Sequence, residues 1–226
     1  TKDLSTPSSA KDIFNEVTKA GIEIDYLINN AGFGLRGKFH ELPWDRQYQM
    51  MQLNMIALSE LTYLFLPSFI KRNSGRILNT SSTASYMPGP LQAVYYATKA
   101  YATFFGNALA EELHDTNITV TTLMPGATET EFAKTADMDK TDLFQKTVSA
   151  SRVAKDGYDG MLESKLDVVS GLTFGQKIMM SASYTSKENV VKTSETSSRI
   201  KLEKLNLSYE SYNNRNNRNG RKRCFI

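Results

Sequence analysis

Three observations predict an α/β fold whose strands pair in parallel. Short stretches at residues 24–28, 76–80, 118–124 and 166–169 read as strands, the first of them mostly apolar, and stretches of helical length separate them. The runs also end in turn residues, Asn29-Asn30-Ala31-Gly32 and Pro125-Gly126 among them. Strands alternating with helices imply βαβ units with right-handed crossovers. A chain of 226 residues with 40% hydrophobic content can bury such a core.

The elements follow in order. Thr6 can cap a helix and Pro7 suits its first position; Ile13, Phe14 and Val17 then share a face, and Gly21 ends the helix. The mostly apolar run 24–28 reads as a buried parallel strand closing in a tight turn. A long helix over 43–72 follows, with Met51, Leu53, Ile56, Leu58, Leu61 and Leu64 among its apolar residues, Asn54 inside it, and Pro67 bending its last turns. Strand 76–80, helix 93–114 and strand 118–124 come next; a looser segment over 127–147 leads to a helix over 151–164 and the last strand. Beyond 180 the composition is Ser, Lys, Asn and Glu without a sustained apolar period, so 181–226 reads as a polar, disordered tail behind a domain over 1–180.

Charge excludes some functions. The formal net charge is +3, but Arg215, Arg218, Arg221, Lys222 and Arg223 lie in the last fifteen residues with no acid, which leaves the rest at −2. The body is therefore not a nucleic-acid binder by charge. No apolar run in the sequence reaches the length of a membrane span. The single cysteine, Cys224, rules out an internal disulfide and suits a reducing compartment, so a cytoplasmic location is expected. His40 and His114 have no Cys or Asp partner at ligand spacing, so no metal site is expected.

Gly32-Phe33-Gly34-Leu35-Arg36-Gly37 matches the dinucleotide glycine pattern and follows a strand. In that fingerprint the last glycine opens the helix whose N-terminus holds the pyrophosphate. Here Lys38 to Leu42 intervene before Pro43 can start one. A mobile, glycine-rich wall of a site is the better reading.

Tyr95 and Lys99 lie four apart in a predicted helix, on one face and about 6 Å apart along the axis. Ser82 ends a strand upstream, in a loop that can return to that face. Singly, each is an ordinary surface, core or turn residue. Together they resemble the short-chain dehydrogenase/reductase family, whose mark is a Tyr-x-x-x-Lys helix with an upstream Ser. The resemblance runs over residues 3–179. Asp3-Leu4 is similar to the family's strand-end pair beside the adenine ring. Asn29-Asn30-Ala31-Gly32 is similar to its structural and cofactor-side motif, Asn54 to the Asn of its catalytic tetrad, and Pro125-Gly126-Ala127-Thr128-Glu129-Thr130 to its segment on the nicotinamide side.

The resemblance implies an incomplete Rossmann-like, doubly wound parallel sheet that lacks the first βαβα portion and with it the glycine turn for the pyrophosphate. It implies NADP(H) or NAD(H) as cofactor, a small carbonyl or alcohol as substrate, and a homo-oligomer in the full-length parent. Catalysis then falls to Asn54, Ser82, Tyr95 and Lys99. Cofactor binding falls to Asp3, Leu4, Asn30, Ala31, Gly32, Tyr95, Lys99, Pro125, Gly126, Thr128 and Thr130. Tyrosine has a reference pKa near 10, and Lys99 is expected to lower it so that Tyr95 can exchange a proton with the substrate oxygen. Ser82 is expected to bind the same oxygen. Tyr86, Met87, Pro88 and Leu91, with Phe132, Met138, Leu143 and Phe144, are candidates for an apolar pocket or for ordinary packing. Trp44 is expected in the core or an interface. A non-catalytic, dehydrogenase-like interaction protein, or an inactive fragment, is the alternative reading.

Overall fold

Four parallel strands in the order β1-β2-β3-β6 form the sheet of the computed structural model, which describes residues 1–136 and 147–172. The strands are β1 (Tyr26–Asn29), β2 (Gly75–Thr80), β3 (Ile118–Pro125) and β6 (Asp167–Ser170). Expectations for Met138, Leu143, Phe144 and the segment 181–226 lie outside the described residues. Contacts divide the chain into a unit Thr1–Ser181, which holds every element described, and a unit Ala182–Ile226.

The helices are α1 (Ser9–Lys19), α2 (Trp44–Met51), α3 (Leu58–Arg72), α4 (Ala93–Glu112), α5 (Phe132–Thr135) and α6 (Ala150–Leu162). Between α2 and α3 the chain makes a π turn, Gln52–Ala57, and after β2 a 3-10 turn, Thr83–Tyr86. A two-stranded parallel pair, β4 (Thr128–Glu129) and β5 (Val148–Ser149), lies where the sequence predicts only a looser segment.

β2 and β3 are buried on both faces, as central parallel strands must be. Neighbouring residues therefore serve different layers. Ile77 joins Leu61, Phe65, Phe69 and Leu109 in one core cluster, while Leu78 joins Leu123, Val153 and Met161 in the other. The first layer is built by α1, α3 and α4, and the second by α6.

Local chemistry sets the boundaries. Gly21, at φ +66°, ends α1 in a Schellman arrangement: its N–H donates to Thr18 C=O and that of Ile22 to Val17 C=O. Thr6 does not cap the helix as predicted. Its carbonyl instead accepts from Ser9 N–H, closing a turn, and α1 starts at Ser9. Asp3-Leu4 is likewise no strand end, because the Asp3 carboxylate accepts from Ser5 N–H and Oγ in a local turn that competes with a ladder. Trp44 opens α2 and is 58% exposed, so it is not a core residue.

The run Trp44–Arg72 bears on the expectation that no apolar stretch is long enough to span a membrane. Its 29 residues include a window of mean hydropathy 1.4, long and apolar enough to cross a membrane by length and composition. A core helix meets the same test, and this one packs Leu61, Phe65 and Phe69 into the first core cluster.

Candidate active site

The predicted tetrad converges at the C-terminal ends of the strands, where open α/β sheets place their ligands. Ser82 leaves β2 in extended conformation and starts the 3-10 turn, its Oγ accepting from Ala84 N–H at 3.1 Å. Tyr95 and Lys99 sit one turn apart on α4, both buried. The Ser82 hydroxyl lies near enough to the Tyr95 phenol to lower its pKa. Lys99 Nζ donates to the Thr80 carbonyl at 2.8 Å and lies 5.9 Å from the centre of the Tyr95 ring.

Asn54 sits in the π turn and grips the loop after β1 from both ends of its amide. Its Oδ1 accepts from Phe33 N–H at 3.1 Å, and its Nδ2 donates to Phe33 C=O at 2.9 Å and to Thr98 Oγ1 at 3.0 Å. π turns recur at functional sites because the widened turn re-aims a side chain.

Burial sets the electrostatics. Desolvation pushes the Tyr95 phenol up to about 12, outweighing the Ser82 hydrogen bond that lowers it. The phenol thus lies above its ordinary value here, where the resemblance leads one to expect Lys99 to lower it. Lys99 itself is pushed down to about 8, because burial penalises its charge.

The loop after β1 forms a wall of the site. A Cβ on Gly34 would meet Phe132 Cζ at 2.8 Å and Tyr95 Cδ2 at 3.2 Å, so only glycine lets the two rings pack over this loop. No helix opens at Gly37, and α2 starts after Pro43, as the rejection of a phosphate loop requires.

The remaining candidates lie around this centre or away from it. Asn30 Oδ1 accepts from Thr80 Oγ1 at 3.2 Å, which ties it to the carbonyl-bearing residue beside Lys99. Ala31 and Gly32 are exposed on the same loop. Pro125 ends β3, and its carbonyl lies 3.5 Å from Ser82 Oγ. Gly126 N–H donates to Ser170 C=O, Thr128 Oγ1 to Gly126 C=O, and Thr130 Oγ1 accepts from Phe132 N–H. Leu4 packs against the first core cluster. Asp3 is exposed, and its hydrogen bonds from Ser5 and then the Arg46 charge hold its carboxyl below the usual range. Arg46 in turn lies over the Phe33 ring. Tyr86 is half-buried, its hydroxyl 2.8 Å from Met124 Sδ, whereas Met87 and Leu91 are exposed. Burial pushes the Tyr86 phenol well up.

Sequence reasoning missed Phe33 and Thr98. Thr98 stands inside the Tyr-x-x-x-Lys helix, three residues after Tyr95, where its hydroxyl can bond back to the Tyr95 carbonyl. That offset was readable; its contact with Asn54 was not.

Comparison with known proteins fits this geometry. The short chain dehydrogenase family profile matches residues 1–141, and the chain belongs to that family. It is 35% identical over 121 residues to an uncharacterized oxidoreductase of Bacillus subtilis, covering 54% of this chain and 46% of that protein. It is 32% identical over 157 residues to the mouse very-long-chain 3-oxoacyl-CoA reductase, covering 65% and 50% respectively. With the mouse dehydrogenase/reductase SDR family member 7B it shares 31% over 176 residues, 75% of this chain and 54% of that one. The chain thus spans about half the length of the curated relatives it matches. Among solved structures, a short-chain dehydrogenase from Sphingobium yanoikuyae in complex with NADPH superposes with a TM-score of 0.73 at 24% identity, over 84% of this chain and 72% of that one. A serine dehydrogenase complexed with NADP+ gives 0.63 at 26%, over 75% and 73%. The Rossmann-like α/β fold is therefore that of the family.

Proposed function

We propose that this chain carries the catalytic centre of an oxidoreductase that moves hydride between NADP(H) or NAD(H) and a small, apolar carbonyl or alcohol. The observation that carries the reading is that Tyr95 and Lys99 lie buried one helical turn apart on α4, with half-buried Ser82 at the end of β2 close enough to lower the pKa of the Tyr95 phenol. The solved relatives bound to NADPH and NADP+ support the choice of cofactor. So does the cradle beside Lys99: a Cβ on Gly32 would lie 3.0 Å from Asn54 Oδ1 and 3.4 Å from Lys99 Nζ, so glycine keeps this approach open for a ligand. Lys99 has three donors, of which Thr80 C=O takes one.

A bound nicotinamide would supply or accept the hydride. The residues of this chain handle the proton. A phenol held near 12 is fully protonated at neutral pH, so Tyr95 is poised to donate to a carbonyl oxygen as the alcohol forms. Ser82 binds the same oxygen and stabilises the charge that develops on it. Lys99, free to lose its proton near pH 8, stands behind Tyr95 as a cationic partner and binds cofactor hydroxyls with its remaining donors. Asn54 holds the Phe33 loop against α4. Asn30, Ala31, Gly32, Pro125, Gly126, Thr128 and Thr130 border the cofactor, with Asp3 and Leu4 at its outer end. The single Cys224 supports a cytoplasmic setting for this chemistry. Neither the site nor the comparisons favour a non-catalytic role.

Replacing Tyr95 by Phe keeps the ring and removes the proton. NADPH-dependent turnover of apolar ketones should fall at least about a hundredfold, the ordinary scale of general acid catalysis, while cofactor binding survives. Turnover near that of the unsubstituted enzyme would overturn the assignment.

A further inference from the structure

We infer that Thr98 is a positioning residue of this site, whose buried hydroxyl fixes the Asn54 amide and thereby locks the Phe33 loop to the helix that carries Tyr95. The catalytic part of this inference rests on the function proposed above; the structural part does not.

Thr98 is wholly buried. Its hydroxyl donates to the Tyr95 carbonyl at 2.7 Å. A threonine bonding back to the preceding turn is common in helices, and that bond alone marks nothing. The second bond comes from a residue 44 positions away: Asn54 Nδ2 donates to the same oxygen at 3.0 Å.

A hydroxyl has one proton and two lone pairs. With its proton committed to Tyr95, Thr98 Oγ1 can only accept from Asn54. The Asn54 NH2 must then face Thr98, and its oxygen must face Phe33 N–H, as is seen at 3.1 Å. The reversed amide would set its oxygen against two acceptors, Thr98 Oγ1 and Phe33 C=O. Thr98 therefore adds to the two Phe33 bonds that set which way Asn54 points, and it is the one that ties that amide to α4. Asn54 in turn holds the loop whose Gly32 and Gly34 face Lys99 and Tyr95. The loop after β1, the π turn and α4 are tied together through Asn54 and Thr98 Oγ1, and the tie ends on the backbone carbonyl of the proposed proton donor.

The test uses the protein as its gene encodes it, with Thr98→Val, which keeps the shape and loses the hydroxyl, and Thr98→Ser, which keeps the hydroxyl. Amide exchange at Phe33, read by NMR, should quicken about tenfold in the Val variant, the loss of roughly one hydrogen bond. It should return to within about twofold in the Ser variant. In NADPH-dependent reduction of apolar ketones, kcat should fall about tenfold in the Val variant with KM nearly unchanged, because misplacement costs rate rather than binding. The Ser variant should recover it. Unchanged Phe33 exchange in Thr98→Val, or a Ser variant as impaired as Val, overturns the inference. If the Val variant does not fold, Thr98→Ala supplies the same readout. Tyr95→Phe is run alongside: full activity there would sink the proposed function, while Phe33 exchange would still decide the role of Thr98.

Discussion

Lys99 is the residue in which burial and chemistry pull hardest against each other. Its folded state gives up a proton near pH 8 and an unfolded lysine near 10.5, so between those values the unfolded chain holds the extra proton. Stability therefore rises with pH through that window. The full difference corresponds to roughly 3 kcal/mol against the folded state at neutral pH. Tyr95 acts in the opposite sense at higher pH. Its folded value near 12 exceeds the ordinary 10, so the unfolded chain ionises first and stability is lost as pH climbs above 10. Replacing Lys99 by Met removes the first effect and leaves the Thr80 carbonyl without its lysine, at a cost of about 1 kcal/mol. Lys99→Met should thus be about 2 kcal/mol more stable than the parent at pH 7, with the gap closing towards pH 10. Urea midpoints for both proteins at pH 7, 8.5 and 10 check this, and parallel midpoints would rule out a buried, depressed lysine.

At the scale of elements, α6 lies so close on β6 that Gly160 has no room for a side chain. A Cβ there would sit 2.3 Å from Val168 Cγ2, and valine is stiff about χ1 and cannot swing away. Alanine is the better helix former by about 1 kcal/mol, whereas overpacking a core contact costs about 1–3 kcal/mol. The clash should win, and Gly160→Ala should destabilise by about 1 kcal/mol. Adding Val168→Ala should recover most of that loss in denaturant midpoint, and a Gly160→Ala protein more stable than the parent would contradict the packing.

The same elements show what a sequence displays and what it hides. β2 and β3 were readable because short stretches rich in apolar and β-branched residues, Ile77-Leu78 and Ile118 to Met124, are bounded by turn residues and lie between helical stretches. The π turn was not, since Gln52 to Ala57 is an ordinary helical stretch. It is Asn54, bonded to Phe33 and Thr98, that engages the distant loop and α4 from within this turn. β4 and β5 escaped notice because two residues carry no period, and their pairing joins positions about twenty residues apart. In the site, Tyr95, Lys99 and Ser82 showed themselves through helical spacing and a strand end. Phe33 and the orientation of Thr98 depend on contacts that only the folded chain makes.

The whole molecule is most vulnerable at β1. Among the described residues this strand pairs only with β2, so its other edge presents unpaired backbone groups. Leu27 and Asn29 are buried, but Tyr26 and Ile28 point to the opposite face and are 44% and 48% exposed. Tyr26 meets Tyr158 of α6 edge-on, with ring centres 6.5 Å apart, and Leu162 one turn further along α6 is also exposed. An open edge beside an apolar face is a template for adding another strand, and proteins guard such edges with charge. Residues 1–226 alone should therefore self-associate increasingly with concentration. Ile28→Lys places a charge on the exposed face of the edge strand, where it blocks a second copy without disturbing either core cluster, since Ile28 belongs to neither. Sedimentation velocity over a hundredfold range of concentration, roughly two decades of mass action, should show larger species in the parent and fewer in Ile28→Lys. The melting temperatures of the two should be close, because Ile28 is half-exposed already. A parent that stays monomeric throughout, or a lysine variant that associates equally, would show that this edge is not what draws copies together.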